Sequence, residues 1–231
     1  MPLREAMTSD RGAPRASDPV GQRAGGLCCA RMPSPAKTSD DDIVAATLEL
    51  VRLHGRAGFT MRDVADAVGI QAPSLYSRFT DKGALLAAVE VKLWERLGRA
   101  IARAPRSSNP VRTLTAQARA YRAFAKANPR GYALIFDAEA ERSEAGRQAR
   151  AAGLEPSLPA FEALVGERDA LMAARVLTPF LHGFVSMELA GAFRLGGGLD
   201  AAFEQGVASI LAGLRLPRRE RIRKPSRATG D

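Results

Sequence analysis

The segment from Thr60 to Leu86 constrains this chain most, because it spells out three helices with almost nothing between them. Thr60 is followed three residues on by Asp63, the pattern that caps a helix N-terminus. Met61 to Val68 then puts Val64, Ala65 and Val68 on one helical face, and Gly69 ends the run. Gln71 stands at the cap of the next helix, predicted over Ala72 to Phe79. Pro73 fits its first turn, where the missing N–H would be unpaired anyway. Asp81 caps a further helix predicted to reach about Ala104. At about 100° per residue, Leu75 and Phe79 share an inward face. Pro73 and Ser77 then point outward, flanked by Ser74 and Tyr76. Two short helices, a three-residue link and a polar outer face on the second helix make a helix-turn-helix.

That geometry suits the major groove of DNA. Pro73 offers an apolar edge to a thymine methyl, and Ser74 a small donor or acceptor to base edges. Tyr76 reaches a phosphate through its hydroxyl, while Thr60 and Lys82 open helices whose N-termini favour phosphate. Gly58-Phe59-Thr60, Val64-Ala65, Val68-Gly69-Ile70, Leu75-Tyr76, Phe79, Lys82 and Leu85-Leu86 together resemble the tetracycline-repressor family of transcription regulators. The likeness covers about Asp42 to Leu86. The family usually carries Leu-Tyr-x-His-Phe; here Leu75-Tyr76-Ser77-Arg78-Phe79 has arginine in the histidine place. The resemblance implies that the first three helices are the reading head. It implies phosphate contacts from Thr60, Tyr76 and Lys82, with Arg78 also able to reach phosphate. Ala72, Pro73, Ser74 and Ser77 match positions facing bases or backbone, and Gln71 opens that helix.

Charge is unevenly spread. Of the net +9, residues 1–38 carry six Lys/Arg against three Asp/Glu, and residues 215–231 seven against two. Residues 39–86 carry five against seven, an unusual balance for a DNA-binding head. The tails, rich in Pro, Gly, Ser and Arg, read as disordered and are expected to supply the long-range attraction to DNA. Met1, Met7 and Met32 are three candidate starts. Cys28 and Cys29 are adjacent, without disulfide-framework or zinc-finger spacing, and read as free thiols. There is no signal-peptide pattern and no membrane span, since the longest uncharged apolar stretch, Val176 to Met187, is short and holds Pro179, His182 and Gly183. A cytoplasmic protein is expected. With two histidines, no nucleophile elbow, no P-loop and no metal-ligand cluster, neither enzyme chemistry nor a cofactor or metal is expected.

The rest reads as helices throughout: about Ser39 or Asp40 to Val51 in the head, then Val111–Ala127, Asn128–Phe136, Pro156–Val165, Glu167–Leu195 and Asp200–Leu214. Glu139–Gly153 reads as helix or loop. No alternating β-branched run survives, so the fold class is all-α. The division expected is a tail (1–38), a helix-turn-helix domain (39–86), a helical ligand-binding and dimerisation domain (87–214) and a second tail (215–231). Asn128-Pro129-Arg130-Gly131-Tyr132 and Leu181-His182-Gly183-Phe184 resemble a C-terminal variety of the same family in which a Trp-His-Gly run is typical, leucine standing here for the tryptophan. The small residues Gly183, Ser186 and Ala190, with the stripe Phe203, Val207, Ile210 and Leu214, are candidates for a four-helix dimer interface. Trp94, Tyr121, Phe124, Tyr132, Phe136, Phe180, His182 and Met187 are pocket candidates. Arg122 and Arg175 are candidates for an anionic ligand, and Glu188 for a polar pocket group. The function expected is a homodimeric regulator, a repressor by family habit, on a palindromic double-stranded DNA operator and released by a small-molecule effector. The alternative is a helical dimer that binds ligand or protein with a degenerate head.

Overall fold

The computed structural model describes residues 38–136 and 144–215, and each regular element among them is helical. Cys28, Cys29, nearly all of both basic tails, and residues 139–143 lie outside the described residues. The first helix, α1 (Asp40–His54), starts where expected. The Ser39 hydroxyl accepts the Asp42 N–H at 3.1 Å, and the Asp42 carboxylate accepts the Ser39 N–H at 2.8 Å. The Ser39 hydroxyl, donating to that carboxylate at 2.7 Å, and then the Ser39 N–H hold the Asp42 carboxyl below its usual range. α2 (Met61–Val68) opens on the same reciprocal pair, Thr60 with Asp63, and closes at Gly69 in the left-handed region (φ 68°). There the Ile70 N–H reaches back to the Ala65 carbonyl at 3.0 Å.

α3 (Ala72–Tyr76) is shorter than predicted, because Ser77 and Arg78 turn and Phe79 leaves the helix. Gln71 sits at its N-cap position but makes no side-chain capping bond. α4 (Lys82–Ala102) starts on Asp81, whose carboxylate accepts the Ala84 N–H at 2.8 Å. Its buried face runs without a break from Leu85 and Val89 through Leu93, Trp94 and Leu97 to Ile101. The predicted boundary between residues 86 and 87 therefore falls inside one continuous helix.

The body adds α5 (Pro110–Ala127), α6 (Pro129–Ile135), α7 (Glu144–Leu154), a single 3₁₀ turn at Glu155–Ser157, α8 (Leu158–Val165), α9 (Glu167–Leu189) and α10 (Leu199–Leu214). α9 ends six residues before the predicted Leu195. Gly191 takes positive φ, its N–H bonds the Glu188 carbonyl, and the Ala192 N–H bonds the Met187 carbonyl at 2.9 Å. α7 lies along α4 at glycine-only distance: a Cβ on Gly98 would stand 2.9 Å from the Gly153 Cα. We expect Gly98→Ala to cost about 1–3 kcal/mol by forcing these backbones apart. Urea denaturation measures this; an unchanged midpoint would show that the helices separate freely.

α5, α9 and α10 are pinned by charge. Arg122 pairs both carboxylate oxygens of Glu188 at 2.7 Å, reaches Asp200 at 2.8 Å and covers the Phe203 ring, while Lys126 also bonds Glu188. The Arg122 hydrogen bonds outweigh burial and pull the Glu188 carboxyl from 4.5 to about 2. A carboxylate with a lowered folded pKa stabilises above its unfolded value, and that stabilisation is lost as pH falls through the folded one. It is on the order of 3 kcal/mol at neutral pH. Stability measured from about pH 5 down to pH 2 should therefore fall less steeply in Glu188→Gln than in the parent. Equal slopes would remove the ion pair from the account.

Candidate DNA-reading helix and ligand cavity

The head presents α3 as a small platform. Leu75 is wholly buried, and Phe79 packs half-buried against the same core. Gln71, Pro73, Ser74, Tyr76 and Ser77 are exposed, with Ala72 partly so, and Tyr76 keeps half its surface free. The Ser77 hydroxyl donates to the Ser74 carbonyl at 2.8 Å, which fixes it at the helix end.

Two expected phosphate partners are otherwise engaged. Arg78 donates to the Thr38 carbonyl at 2.6 Å and pairs with Asp40 at 3.2 Å, so it ties α3 to the start of α1. Lys82 donates to the Phe59 carbonyl and lies 4.0 Å over the Phe59 ring, and burial lowers its pKa. Its ammonium therefore braces the turn that leads into Thr60. The acids that make the head negative are also occupied. Asp40 meets Arg78 and Asp41 meets Lys92. Asp42 and Asp63 cap helices, and Glu49 pairs with Arg52.

In the body, a cavity of about 610 Å³ opens between α5, α7, α8 and α9. Its walls are mainly aliphatic, with Leu114 and Ala118 on α5, Leu158 and Phe161 on α8, and Leu177 and Leu181 on α9. Of the predicted pocket residues, only Tyr121 lines it. The others lie outside this cavity. Trp94 is buried with its ring edge on Phe136; Phe136 stacks on His182 at 3.9 Å; and Tyr132 packs against both. Phe124 is core-packed, Phe180 lies against Gly206 and the Phe203 ring, and Met187 is exposed. Glu188 belongs to the Arg122 ion cluster rather than to the cavity.

A hydrogen-bonded chain joins the cavity wall to that ring cluster. The Tyr121 and Tyr132 hydroxyls are 2.9 Å apart, and the Tyr132 hydroxyl is 2.8 Å from His182 Nδ1. Burial raises the Tyr121 pKa far above its ordinary value and the Tyr132 pKa to about 12. It lowers that of His182, with the charge of Arg150 adding to the effect.

Sequence reasoning missed Gln117 and Arg150. Gln117 is buried, donates to the Pro156 carbonyl at 3.1 Å, and its Oε1 has no hydrogen-bond partner among the described residues. The signal was available: Gln117 interrupts the inward face set by Leu114, Ala118 and Tyr121. Arg150 falls in the stretch read as helix or loop, which left its direction open.

The stripe on α10 expected at an interface is covered in good part within the chain. Phe203 and Val207 are buried within the chain, and Ile210 and Leu214 are half-buried against the same core. An amphipathic stripe is claimed first by its own chain when a partner helix, here α9, lies beside it. The outward apolar face is on α9 instead, where Met172, Val176, Pro179 and Met187 are exposed beside Gly183, Ser186 and Ala190. This face explains why α9 is, among the described residues, the one helix long and apolar enough to cross a membrane.

Comparison with known proteins agrees with this anatomy. The profile of "Bacterial regulatory proteins, tetR family" matches residues 43–89, and that of "Tetracyclin repressor-like, C-terminal domain" matches residues 114–210. The tetracycline repressor protein class A from transposon 1721 of Escherichia coli is 30% identical, over 77% of this chain and 91% of its own. Among solved structures, a variant of TetR from Acinetobacter baumannii AYE in complex with minocycline superposes with a TM-score of 0.55 at 24% identity, covering 77% of this chain and 96% of that one. BioQ with its double-stranded DNA operator superposes with a TM-score of 0.57 at 24% identity, covering 78% and 99%. The chain belongs to the tetracycline-repressor family of bacterial regulatory proteins and is a DNA-binding regulator of transcription.

Proposed function

We propose that the protein is a homodimeric repressor that reads a palindromic operator with α3 and leaves it when a small molecule enters the body cavity. The observation that carries this reading is the exposure of Pro73, Ser74, Tyr76 and Ser77 around the single buried anchor Leu75. A five-residue helix with that division has little to do but meet a surface. Thr60, Ala72 and Gln71 flank it. Arg78 and Lys82 act by holding the platform, with phosphate contact open to them only if those internal bonds are exchanged.

The apolar α9 face supports a dimer, since Met172, Val176 and Met187 are exposed along one side of the helix. Gly183 adds room, as a Cβ there would meet nothing within 4 Å. The repressor and BioQ relatives, named respectively for tetracycline and for an operator complex, support ligand and DNA as the two partners. Regulation then needs a ligand that favours one head spacing over another. The cavity touches α4 at Ile101, and α4 continues to Lys82 at the head. A coupling of about 1–3 kcal/mol suffices for release by fivefold or more. Enzyme activity has no part in this reading, and the site of action is the cytoplasm, where the DNA is.

Tyr76→Ala should weaken operator binding by about tenfold or more while leaving melting temperature and dimer mass unchanged. Electrophoretic mobility shifts together with sedimentation measure both. Binding at parental strength would mean that another surface reads the DNA.

A further inference from the structure

We propose that the side-chain oxygen of Gln117 is the hydrogen-bond acceptor of the body cavity, and that the effector is an apolar molecule carrying an O–H or N–H group to meet it. The inference rests on the cavity being the effector site and adds the chemical class of the effector.

Leu114, Gln117, Ala118 and Tyr121 recur at helical spacing on α5 and share the inward face that forms one cavity wall. The Tyr121 hydroxyl is already joined to that of Tyr132. Gln117, one turn before it, is half satisfied. Its side chain is buried, and its Nε2 donates to the Pro156 carbonyl at 3.1 Å. A carbonyl only accepts, so the NH₂ end of the amide must face Pro156, and the orientation of the group is fixed. Its Oε1 is closed to solvent and meets no donor among the described residues.

The position of Gln117 says which way that oxygen is turned. A second, smaller cavity of about 180 Å³ lies on its other side, lined by Thr113, Pro156 and Pro159. Among the described residues Gln117 alone lines both cavities, so its side chain stands in the partition between them. Pro156 lines the small cavity and not the large one, and it holds the nitrogen on that side. Nitrogen and oxygen diverge from the amide carbon, which leaves the oxygen on the side of the large cavity.

A buried acceptor without a donor is costly, and the cost stays in the site when a ligand of the right shape brings no donor. A ligand O–H or N–H removes it. An ether oxygen or a CH₂ at the same place leaves it, and the ether also sets lone pair against lone pair. The cavity therefore sorts ligands by their donors more sharply than its aliphatic walls sort them by shape.

Three rigid tricyclic probes of nearly one shape test this. Carbazole has an N–H where dibenzofuran has an oxygen and fluorene a CH₂. Displacement of the fluorescent dye N-phenyl-1-naphthylamine from the full-length protein should show carbazole binding about tenfold more tightly than the other two. Gln117→Leu should leave fluorene at its parental affinity and bring carbazole down to it. Ala174→Trp, which fills the large cavity, should weaken all three probes. Ala163→Phe, which fills the small cavity from an exposed position, should change none. Equal affinity of carbazole and dibenzofuran for the parent would overturn the acceptor assignment and leave the cavity reading standing, and this comparison needs no variant to fold. A carbazole preference that survives Gln117→Leu, or that is lost in Ala163→Phe, would do the same. No displacement by any probe, or indifference of all three to Ala174→Trp, would remove the cavity as the effector site and the assignment with it.

Discussion

Everything else in the molecule hangs on the burial of one face of α4 along its whole length. Leu85 and Val89 belong to the head's core, and Leu93, Trp94, Leu97 and Ile101 to the body's, yet they lie on one unbroken helix of 21 residues. A helix with its apolar stripe covered at both ends cannot tilt at one end without moving at the other, because packed cores respond by discrete repacking and not by gradual stretch. The glycine-to-glycine approach of α7 to α4 tightens this further. α7 supplies Arg150 and α4 supplies Ile101, so the cavity wall and the shaft leading to the head share a seam.

A second tie runs through α6. Arg130 donates to the carbonyls of Arg52 and Leu53 at the end of α1, and two residues later Tyr132 stands between Tyr121 and His182. Tyr132 is the shared member of this chain, bonded to the Tyr121 hydroxyl on one side and to His182 Nδ1 on the other. A ligand that displaced the Tyr121 ring would break its bond to Tyr132, on the helix whose other side chains grip α1. This is a physical route between sites, built from groups that are costly to leave unpaired.

The head was largely legible in the sequence because its signals are local. Ser39, Thr60 and Asp81 cap helices by bonds to residues three positions away, and Gly69 stops α2 by its own φ. Leu75 could be placed inward by angle alone. The internal partners of Arg78 and Lys82, Thr38 and Phe59, were not legible because they lie 40 and 23 residues away. The cavity was not legible for the same reason. Trp94, Phe136 and His182 were chosen for their rings, and those rings pack on one another outside this cavity. Periodicity found the stripe Phe203, Val207, Ile210 and Leu214, but cannot say whether a stripe faces its own chain or another; here Phe180 and Phe184 pack on its first residue, Phe203, from within.

The central claim is that α3 reads sequence and does so in pairs. Selection of bound fragments from random double-stranded DNA, with the full-length protein at moderate salt, tests it most directly. The account requires a palindromic consensus whose half-sites lie about one helical turn apart. Binding that falls steeply with salt and enriches no consensus would contradict it, and would assign the DNA affinity to the basic tails alone.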